Sequence, residues 1–376
     1  MSGGRGGPGS WPLGERDWEA RALEAMGPEG FDWIAGGAGE EWTLDANREA
    51  FRRWGLRPRV LTGNAERDLS VRILGTPSAA PFLLAPIGGQ TVAHPDGESA
   101  VGRAAARCGI PFIVAGAASH PMERVAEAMG AAPRWYQLYW ISDREVVESL
   151  VARASSSGYG AIVLTVDTPI LGLRDRDARA GYSPFVLGHG VGQYTSDPVF
   201  RSRLARPPEE DPRGAGEALS RVFSNPGLNW GDLGWLRDRT ELPIVIKGIL
   251  TPDDARRCLE HGMDAIVVSN HGARQLDGCV PALEALVEIR DALGDETTLL
   301  MDSGIRRGTD VVKALALGAD AVLLGRPYVY GLAIGGEAGV EHVLRTLIAE
   351  VDNVLGNLGA RAAAEVDRSF VSRLPG

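Results

Sequence analysis

Cysteine is scarce in this chain of 376 residues, which has only Cys108, Cys258 and Cys279. Their odd number and wide spacing offer neither a disulfide framework nor a zinc site, and predict reduced thiols in a cytoplasm. Positive charge is also outnumbered: 39 basic residues face 49 acidic ones, giving a formal net charge of -10. A broadly acidic chain is a poor candidate for binding nucleic acid or an anionic membrane surface through charge.

Long apolar runs are absent as well. No stretch approaches the roughly 18 apolar residues of a membrane span, so we predict no membrane partner. Residues 1–13 are rich in Gly, Ser and Pro without the apolar core of a signal peptide, which predicts a disordered tail. No HxH or HExxH spacing supports a metal site. No GxGxxG opens the first helix of the repeat, which argues against a dinucleotide-binding, doubly wound sheet.

What the chain does have is an alternation of short apolar runs and helical patterns between about residue 80 and residue 330. The predicted strands are 82–87, 111–116, 134–139, 160–167, 243–248, 265–271, 297–303 and 320–326. Stretches with helical spacing, such as Gly97–Cys108, Met122–Met129 and Asp143–Ala154, lie between most of them. Eight such units favour a closed (β/α)8 barrel, that is, a TIM barrel of the α/β class.

Two regions fall outside the repeat. Residues 14–75 predict helices that cap the barrel, with apolar anchors at Trp18, Leu23, Phe31, Trp33, Trp42 and Phe51. Residues 168–242 separate the fourth and fifth strands and are far longer than an ordinary connection, so we interpret them as a mobile lid or as a surface excursion without function. Residues 14–376 are expected to form a single domain.

The strand ends carry the chemistry, because active sites of such barrels are built at the carboxyl ends of the strands. Ser269-Asn270-His271 follows the sixth strand, and Arg274 lies three residues beyond His271. A histidine accepts protons near neutral pH, and an arginine grips a carboxylate with two donors. Asp167 ends the fourth strand, where it can orient His271 or merely cap a helix. Lys247 ends the fifth, where it can form a Schiff base, hold a negative charge, or take part in a structural ion pair.

The seventh and eighth strands predict a phosphate site. Asp302-Ser303-Gly304-Ile305-Arg306 and Gly325-Arg326-Pro327 both join glycine backbone N–H groups to a guanidinium. The loops after these two strands are the usual phosphate site of such barrels.

Taken together, the motifs around Lys247, Ser269–Gln275, Asp302–Arg306 and Gly325–Pro327 resemble the FMN-dependent L-2-hydroxy acid oxidase and dehydrogenase family, from about residue 30 to residue 355. Within that family the chain looks nearest to the lactate 2-monooxygenase type. The resemblance implies an oxidation of an L-2-hydroxy acid to the 2-oxo acid, with FMN as cofactor, oxygen as electron acceptor and a homo-oligomer, a tetramer or larger.

The resemblance also implies residue roles. His271 would be the base, oriented by Asp167, with Arg174 and Arg274 on the substrate carboxylate and Tyr139 on its hydroxyl. Lys247 would face the flavin pyrimidine. The remaining cofactor contacts would come from Pro86, Ile87, Gly88, Gln137, Thr165, Ser269, Asp302, Gly304, Arg306, Gly325 and Arg326.

The chain departs from the family's pattern at the cleft. Trp33 stands where a tyrosine usually touches the substrate carboxylate, and Ala115 where a serine is common near the flavin. Ala117 replaces a residue that is commonly larger, and with Gly88 it leaves space beside the flavin. We therefore expect a 2-hydroxy acid bulkier than lactate, unless Trp33 is only a packing residue.

Three other outcomes stay open at the level of sequence. A closed lid that retains peroxide with the oxo acid would give oxidative decarboxylation to a carboxylic acid and CO2. A Schiff base at Lys247 would instead give a phosphate-binding lyase or isomerase. A non-catalytic flavin-binding or scaffold protein is the third, and the presence of His271, Arg274 and Lys247 argues against it.

Overall fold

Eight parallel strands close into a barrel in the computed structural model, which describes residues 11–375. In chain order the strands are β1 Trp54–Leu56, β2 Val71–Ile73, β3 Thr76–Ser78, β4 Phe82–Leu84, β5 Phe112–Val114, β6 Arg134–Tyr139, β7 Ile162–Thr165, β8 Ile244–Ile249, β9 Ala265–Val268, β10 Leu299–Met301, β11 Ala321–Leu324 and β12 Val371–Arg373. β4 to β11 form the barrel, and β11 pairs in parallel with β4 to close it. Each barrel strand overlaps one predicted strand, and the predicted (β/α)8 fold is confirmed.

Helices surround the barrel. They are α1 Glu15–Ala35, α2 Trp42–Arg52, α3 Gly97–Cys108, α4 Met122–Met129, α5 Arg144–Ser156, α6 Asp175–Ala180, α7 Gly192–Thr195, α8 Pro198–Ser202, α9 Pro212–Phe223, α10 Leu233–Arg237, α11 Pro252–Glu260, α12 Ala282–Leu293, α13 Gly308–Ala316 and α14 Arg326–Leu358. Several of these helices begin at a residue whose side chain caps the helix. At the start of α5, for example, the carboxylate of Asp143 accepts the N–H groups of Glu145 and Val146. Among the described helices, none combines the length and apolar composition that a membrane crossing needs.

The barrel strands are buried on both faces, which explains their continuous apolar runs. One face fills the barrel interior, where Leu83, Trp135, Val163, Val245 and Leu323 belong to one apolar cluster. The alternate residues face outward and join the larger cluster formed with the helices. This double burial fixes the register of the strands, and with it the positions of the strand ends.

The N-terminal helices cap the barrel only partly as predicted. Trp18 and Phe51 are buried, and Phe31 and Trp33 pack against the core. The prediction was wrong for Leu23 and Trp42, which are 42% and 57% exposed. Leu23 follows the buried Ala22 and so lies about 100° further round the helix, on its outer face. Trp42 is the first residue of α2. Of the predicted tail, residues 1–10 lie outside the described range, and Trp11 stacks on His342 with ring centroids 5.4 Å apart.

The segment 168–242 is partly helical. It contains α6 to α10, and its side chains Phe185, Tyr194, Phe200, Leu219 and Phe223 join the core cluster. We call residues 168–242 the lid segment; its mobility stays a prediction. The segment covers one side of the barrel mouth, because Phe185 and Phe223 line the cleft found there.

Candidate active site

A cleft with about 1010 Å³ of empty space, part of it open to solvent, lies at the carboxyl ends of the barrel strands. Most of the predicted site residues line it: Trp33, Pro86, Ile87, Gly88, Tyr139, Arg174, Lys247, His271, Arg274, Asp302, Gly304, Arg306, Gly325 and Arg326. The parallel strands explain this convergence, since all eight carboxyl ends meet at one mouth.

His271 and Asp167 form a hydrogen-bonded pair at the cleft. His271 Nδ1 lies 2.7 Å from Asp167 Oδ1, although 104 residues separate the two in sequence. Gly248 makes this possible, because a Cβ there would lie 2.6 Å from Cβ of Asp167. Tyr139 Oη lies 3.5 Å from the other imidazole nitrogen, Nε2. With Nδ1 bonded to a carboxylate, Nε2 is left to face the cleft as the proton-accepting atom.

Electrostatics favour a neutral His271 beside an ionised Asp167. Burial lowers the pKa of His271, and the charge of Lys247 adds to this while Asp167 opposes it. Burial alone would raise the pKa of Asp167, but its interaction with His271, the charge of Lys247 and the hydrogen bond from Thr168 outweigh burial, and that pKa is lowered. Burial and the charge of Asp167 raise the pKa of Tyr139 to about 12, so its phenol keeps its proton. The cleft therefore holds a base at His271 and a donor at Tyr139.

Backbone strain is concentrated at the same place. His271, Gly272 and Ala273 have φ of 57°, 63° and 66°, and Ser303 has φ of 76°. Three of these carry a Cβ, which makes the left-handed region costly for them. The strained turn is held by its own bonds, because Ser269 Oγ accepts the N–H of His271 and Ser303 Oγ accepts that of Gly272. The turn directs the imidazole into the cleft.

Lys247 is a buried cation in the floor of the cleft. Its Nζ lies 2.8 Å from Ser269 Oγ, 3.1 Å from Asp302 Oδ2 and 3.9 Å from Asp167 Oδ2. Burial would lower the pKa of Lys247, but the two carboxylates outweigh burial and raise it. A Schiff-base lysine needs the opposite shift, so this environment argues against the lyase or isomerase alternative.

Three arginines, of which Arg326 is buried and Arg174 and Arg274 are half-buried, give the cleft a positive field. Burial lowers the pKa of Arg174, Arg274 and Arg326, the last to about 10, and Arg274 and Arg326 are lowered further by neighbouring guanidinium groups. Arg326 donates to the carbonyl oxygens of Ile34, Ala35, Gly36 and Gly272, and Arg274 donates to Gly36. Asp177 Oδ2 lies 3.6 Å from Arg174 Nη1, but one carboxylate and neutral carbonyl groups do not balance three guanidinium charges. The cleft is therefore suited to an anionic ligand.

Trp33 lies beside two of these arginines. The guanidinium carbons of Arg174 and Arg274 lie 5.1 and 5.2 Å from its ring centroid, within cation–π range. The ring also begins an aromatic row, with centroid distances of 6.3 Å from Trp33 to Phe185, 5.4 Å from Phe185 to Phe223 and 4.8 Å from Phe223 to Tyr139. Trp33 thus borders both the charged end and the apolar wall of the cleft.

A family model described as FMN-dependent dehydrogenase matches residues 22–373. The chain belongs to the FMN-dependent dehydrogenase family. An L-lactate oxidase of Lysinibacillus sphaericus is 42% identical, covering 91% of this chain and 88% of its own length. The human 2-hydroxyacid oxidase 1 is 42% identical over 96% of both chains. A crystal structure of a mandelate oxidase superposes with a TM-score of 0.86 at 37% identity, covering 97% of this chain and 99% of its own.

The cleft fits the cofactor of an FMN-dependent dehydrogenase. Arg306 and Arg326 are buried at one end beside Gly304 and Gly325, and a Cβ on Gly325 would meet only Ile87 Cδ1, at 3.6 Å. Open glycine backbone next to two guanidinium groups suits a phosphate. Gly88 packs so closely on the neighbouring strand end that a Cβ would lie 2.7 Å from the carbonyl oxygen of Ala117, which leaves a flat backbone surface for a ring. Lys247 supplies a fixed cation below.

Three predicted cofactor residues are not on the cleft surface of this FMN-dependent dehydrogenase. Gln137, Thr165 and Ser269 lie beneath it, buried and bonded to protein groups. Gln137 Nε2 donates to Thr165 Oγ1 at 3.0 Å, Gln137 Oε1 accepts the N–H of Gly116, and Ser269 Oγ binds Lys247. Ala115 is likewise buried away from the lining, whereas Ala117 forms part of it.

Other lining residues were missed by sequence reasoning. Phe185 and Phe223 belong to the lid segment, and no sequence motif predicts that this segment folds over the mouth of the barrel. Ser303 stands inside the predicted phosphate motif, so its place after the seventh strand was a usable signal. Thr168 follows Asp167 directly, and its hydroxyl binds that carboxylate at 3.0 Å.

Proposed function

We propose that this chain oxidises an L-2-hydroxy acid to the 2-oxo acid and passes the electrons to oxygen. The observation that carries the proposal is the placement of the His271–Asp167 pair and two arginines around one cleft whose floor is the Lys247 cation. A proton acceptor, a carboxylate clamp and a fixed positive charge are the groups that such an oxidation needs. FMN supplies the two-electron redox chemistry when bound.

The residues that would hold FMN are divided between the two sides of the cleft. Gly304, Arg306, Gly325 and Arg326 would hold the phosphate. The Pro86, Ile87 and Gly88 backbone would lie against the ring, with Asp302 near the ribityl chain. Three buried residues, Gln137, Thr165 and Ser269, would reach the cofactor only from below. Their main contribution would be to position Lys247 and the strand ends. Lys247 would stabilise negative charge that develops on the ring during reduction.

The substrate would bind with its carboxylate on Arg174 and Arg274 and its hydroxyl between Tyr139 and His271. Nε2 of His271 takes a proton, and Asp167 stabilises the imidazolium that forms. The phenol of Tyr139 donates to the substrate oxygen, since its raised pKa keeps the proton in place. Trp33 would hold the two guanidinium groups in position through its ring.

The fate of the product separates two outcomes. Release of the oxo acid before it meets peroxide gives an oxidase, whereas retention gives the decarboxylating, lactate 2-monooxygenase-type reaction. We propose the oxidase outcome. Measurement of free peroxide and of CO2 per mole of oxygen consumed tests it: equimolar peroxide is expected, and equimolar CO2 without peroxide would establish the other outcome.

The substrate itself is proposed to be bulkier than lactate. Ala117 and Gly88 leave room beside the flavin position, and the wall of Trp33 and Phe185 offers apolar surface to a larger side chain. Steady-state kinetics on L-lactate, (S)-mandelate and a long-chain 2-hydroxy acid should give kcat/KM values that are higher for one of the larger acids. A clear preference for lactate contradicts this part of the proposal.

Asp167→Asn should change the pH profile in a defined direction. In the wild-type protein the neutral base exists above the lowered pKa of His271, so the acidic limb of kcat/KM is expected below pH 6.5. Asp167 raises that pKa, so its loss should move the limb to still lower pH. The rate should fall by about 10⁴-fold, because the imidazolium loses its carboxylate and its tautomer is no longer fixed. If Asp167 is only a structural cap, the limb will not move.

Two further properties belong to the proposal. We propose a cytoplasmic location, supported by the free thiols Cys108, Cys258 and Cys279. We also propose a homo-oligomer, a tetramer or larger, because the large apolar residues Trp42, Leu173 and Leu276 are 57%, 74% and 66% exposed. Sedimentation of the purified protein as a monomer would contradict the second.

A further inference from the structure

A second chamber lies behind the cleft, on the other side of Tyr139 and Phe223. It contains about 1160 Å³ of empty space, part of it open to solvent, between the ends of β6, β7 and β8 and residues 223–233 of the lid segment. None of the residue roles proposed above uses this space. Its cavity volume of about 400 Å³ falls in the range of pockets that bind organic ligands.

The chamber has an apolar inner end and a polar outer end. Trp140, Leu233, Ile246 and Ile249 are buried at its inner end, and Leu228 is half-buried in its wall. Asn229 is exposed at the outer end. Among residues 11–375, Asp254 is the one charged residue of the lining, and no lysine, arginine or histidine takes part. Such a lining favours a neutral, apolar group and disfavours a second carboxylate.

Only a thin partition separates the chamber from the cleft. Tyr139, Thr168 and Phe223 line both spaces, and the rings of Tyr139 and Phe223 are in contact with centroids 4.8 Å apart. Tyr139 is held in strand β6, whereas Phe223 is the last residue of α9 and is followed by the extended Ser224. Phe223 is therefore the side of the partition that the lid segment contributes, and its ring also packs on Phe185 with centroids 5.4 Å apart.

We propose that the chamber receives the distal part of a long alkyl side chain of the 2-hydroxy acid, and that Phe223 is the residue that admits it. The inference rests on the proposed function, in which Tyr139 binds the substrate hydroxyl. Because Tyr139 and Phe223 line both spaces, a side chain that extends from the hydroxyl-bearing carbon along these two rings would reach the chamber. The substrate class is a monocarboxylic 2-hydroxy acid with a long alkyl chain.

The experiment compares kcat/KM for L-2-hydroxydecanoate with that for L-lactate in the FMN-loaded protein. The wild-type ratio is expected to exceed one. Leu228→Trp fills the chamber and should lower the ratio by about tenfold or more, since a lost methylene contact alone discriminates by about tenfold. Leu228→Ala and Phe223→Ala, which enlarge the chamber and its entrance, should leave the ratio equal or higher. Leu187→Trp is the matched control, because Leu187 is 60% exposed in the same lid segment and lines neither space.

Binding provides a readout that does not depend on turnover. Calorimetry with decanoate should show weaker binding to Leu228→Trp than to the wild-type and Leu187→Trp proteins. An unchanged ratio and unchanged decanoate affinity in Leu228→Trp would overturn the proposal, as would a preference for 2-hydroxyglutarate over 2-hydroxydecanoate. Failure of the wild-type protein to oxidise any 2-hydroxy acid contradicts the proposed function instead, and is distinguishable because lactate is measured in parallel.

Discussion

Replacement of His271 by glutamine should reduce the turnover of a 2-hydroxy acid by about 10²–10⁴-fold, the range for loss of a general base. Glutamine keeps a polar side chain of similar reach but accepts no proton near neutral pH. The imidazole is the base that the geometry offers, since its Nε2 faces the cleft while Nδ1 lies 2.7 Å from Asp167. The measurement is kcat with the preferred acid at saturating oxygen.

The control for this variant is His94→Gln. His94 accepts an N–H from Asp96 and lies outside the cleft lining, so its replacement should leave kcat close to that of the wild type. Binding of the 2-oxo acid product should survive in His271→Gln, because Arg174 and Arg274 are unchanged. If His271→Gln keeps more than about a tenth of the wild-type kcat, His271 is not the general base. Loss of a general base is expected to lower kcat by at least about 10²-fold.

Lys247→Met should affect both stability and rate. The change leaves the carboxylates of Asp302 and Asp167 buried without the cation that lies 3.1 and 3.9 Å away. Removing one member of a buried ion pair costs about 3–5 kcal/mol of unfolding free energy. The rate should fall by about 10²–10³-fold, the cost of losing a fixed charge that stabilises developing negative charge. Chemical denaturation of the FMN-free protein and kcat of the FMN-loaded protein give the two values.

A double variant separates the two effects. In Lys247→Met/Asp302→Asn one buried charge is neutralised, so part of the lost stability should return while the rate stays low. If Lys247 were only a structural ion-pair residue, rate and stability would recover together. Wild-type stability and rate in Lys247→Met alone would contradict both roles.

Much of the fold is predictable because it rests on local patterns. The strands of the barrel are buried on both faces, so short apolar runs bounded by Gly, Pro and Asp identify them. The His271–Asp167 pair follows from the same pattern, since residues that end parallel strands share one mouth whatever their distance in sequence. The motifs Gly304–Arg306 and Gly325–Arg326 could likewise be predicted to lie at this mouth, because each follows the end of a barrel strand.

The rest depends on tertiary packing that no local pattern contains. Phe185 and Phe223 reach the cleft only because five helices of the lid segment fold over the mouth. Thr165 ends β7, but Gln137 lies two residues before the end of β6, and the two side chains bond to each other below the surface. Leu23 is apolar but faces outward, because an apolar residue in an amphipathic pattern need not be buried.

Anaerobic mixing of the purified, FMN-loaded protein with an L-2-hydroxy acid tests the central claim most directly. The account predicts that the visible flavin absorption is lost on mixing and returns when oxygen is admitted, and that the loss is slower by about 10²–10⁴-fold in His271→Gln. A protein that purifies colourless after loading with FMN, or a flavin absorption that survives excess lactate, mandelate and 2-hydroxydecanoate, would contradict it.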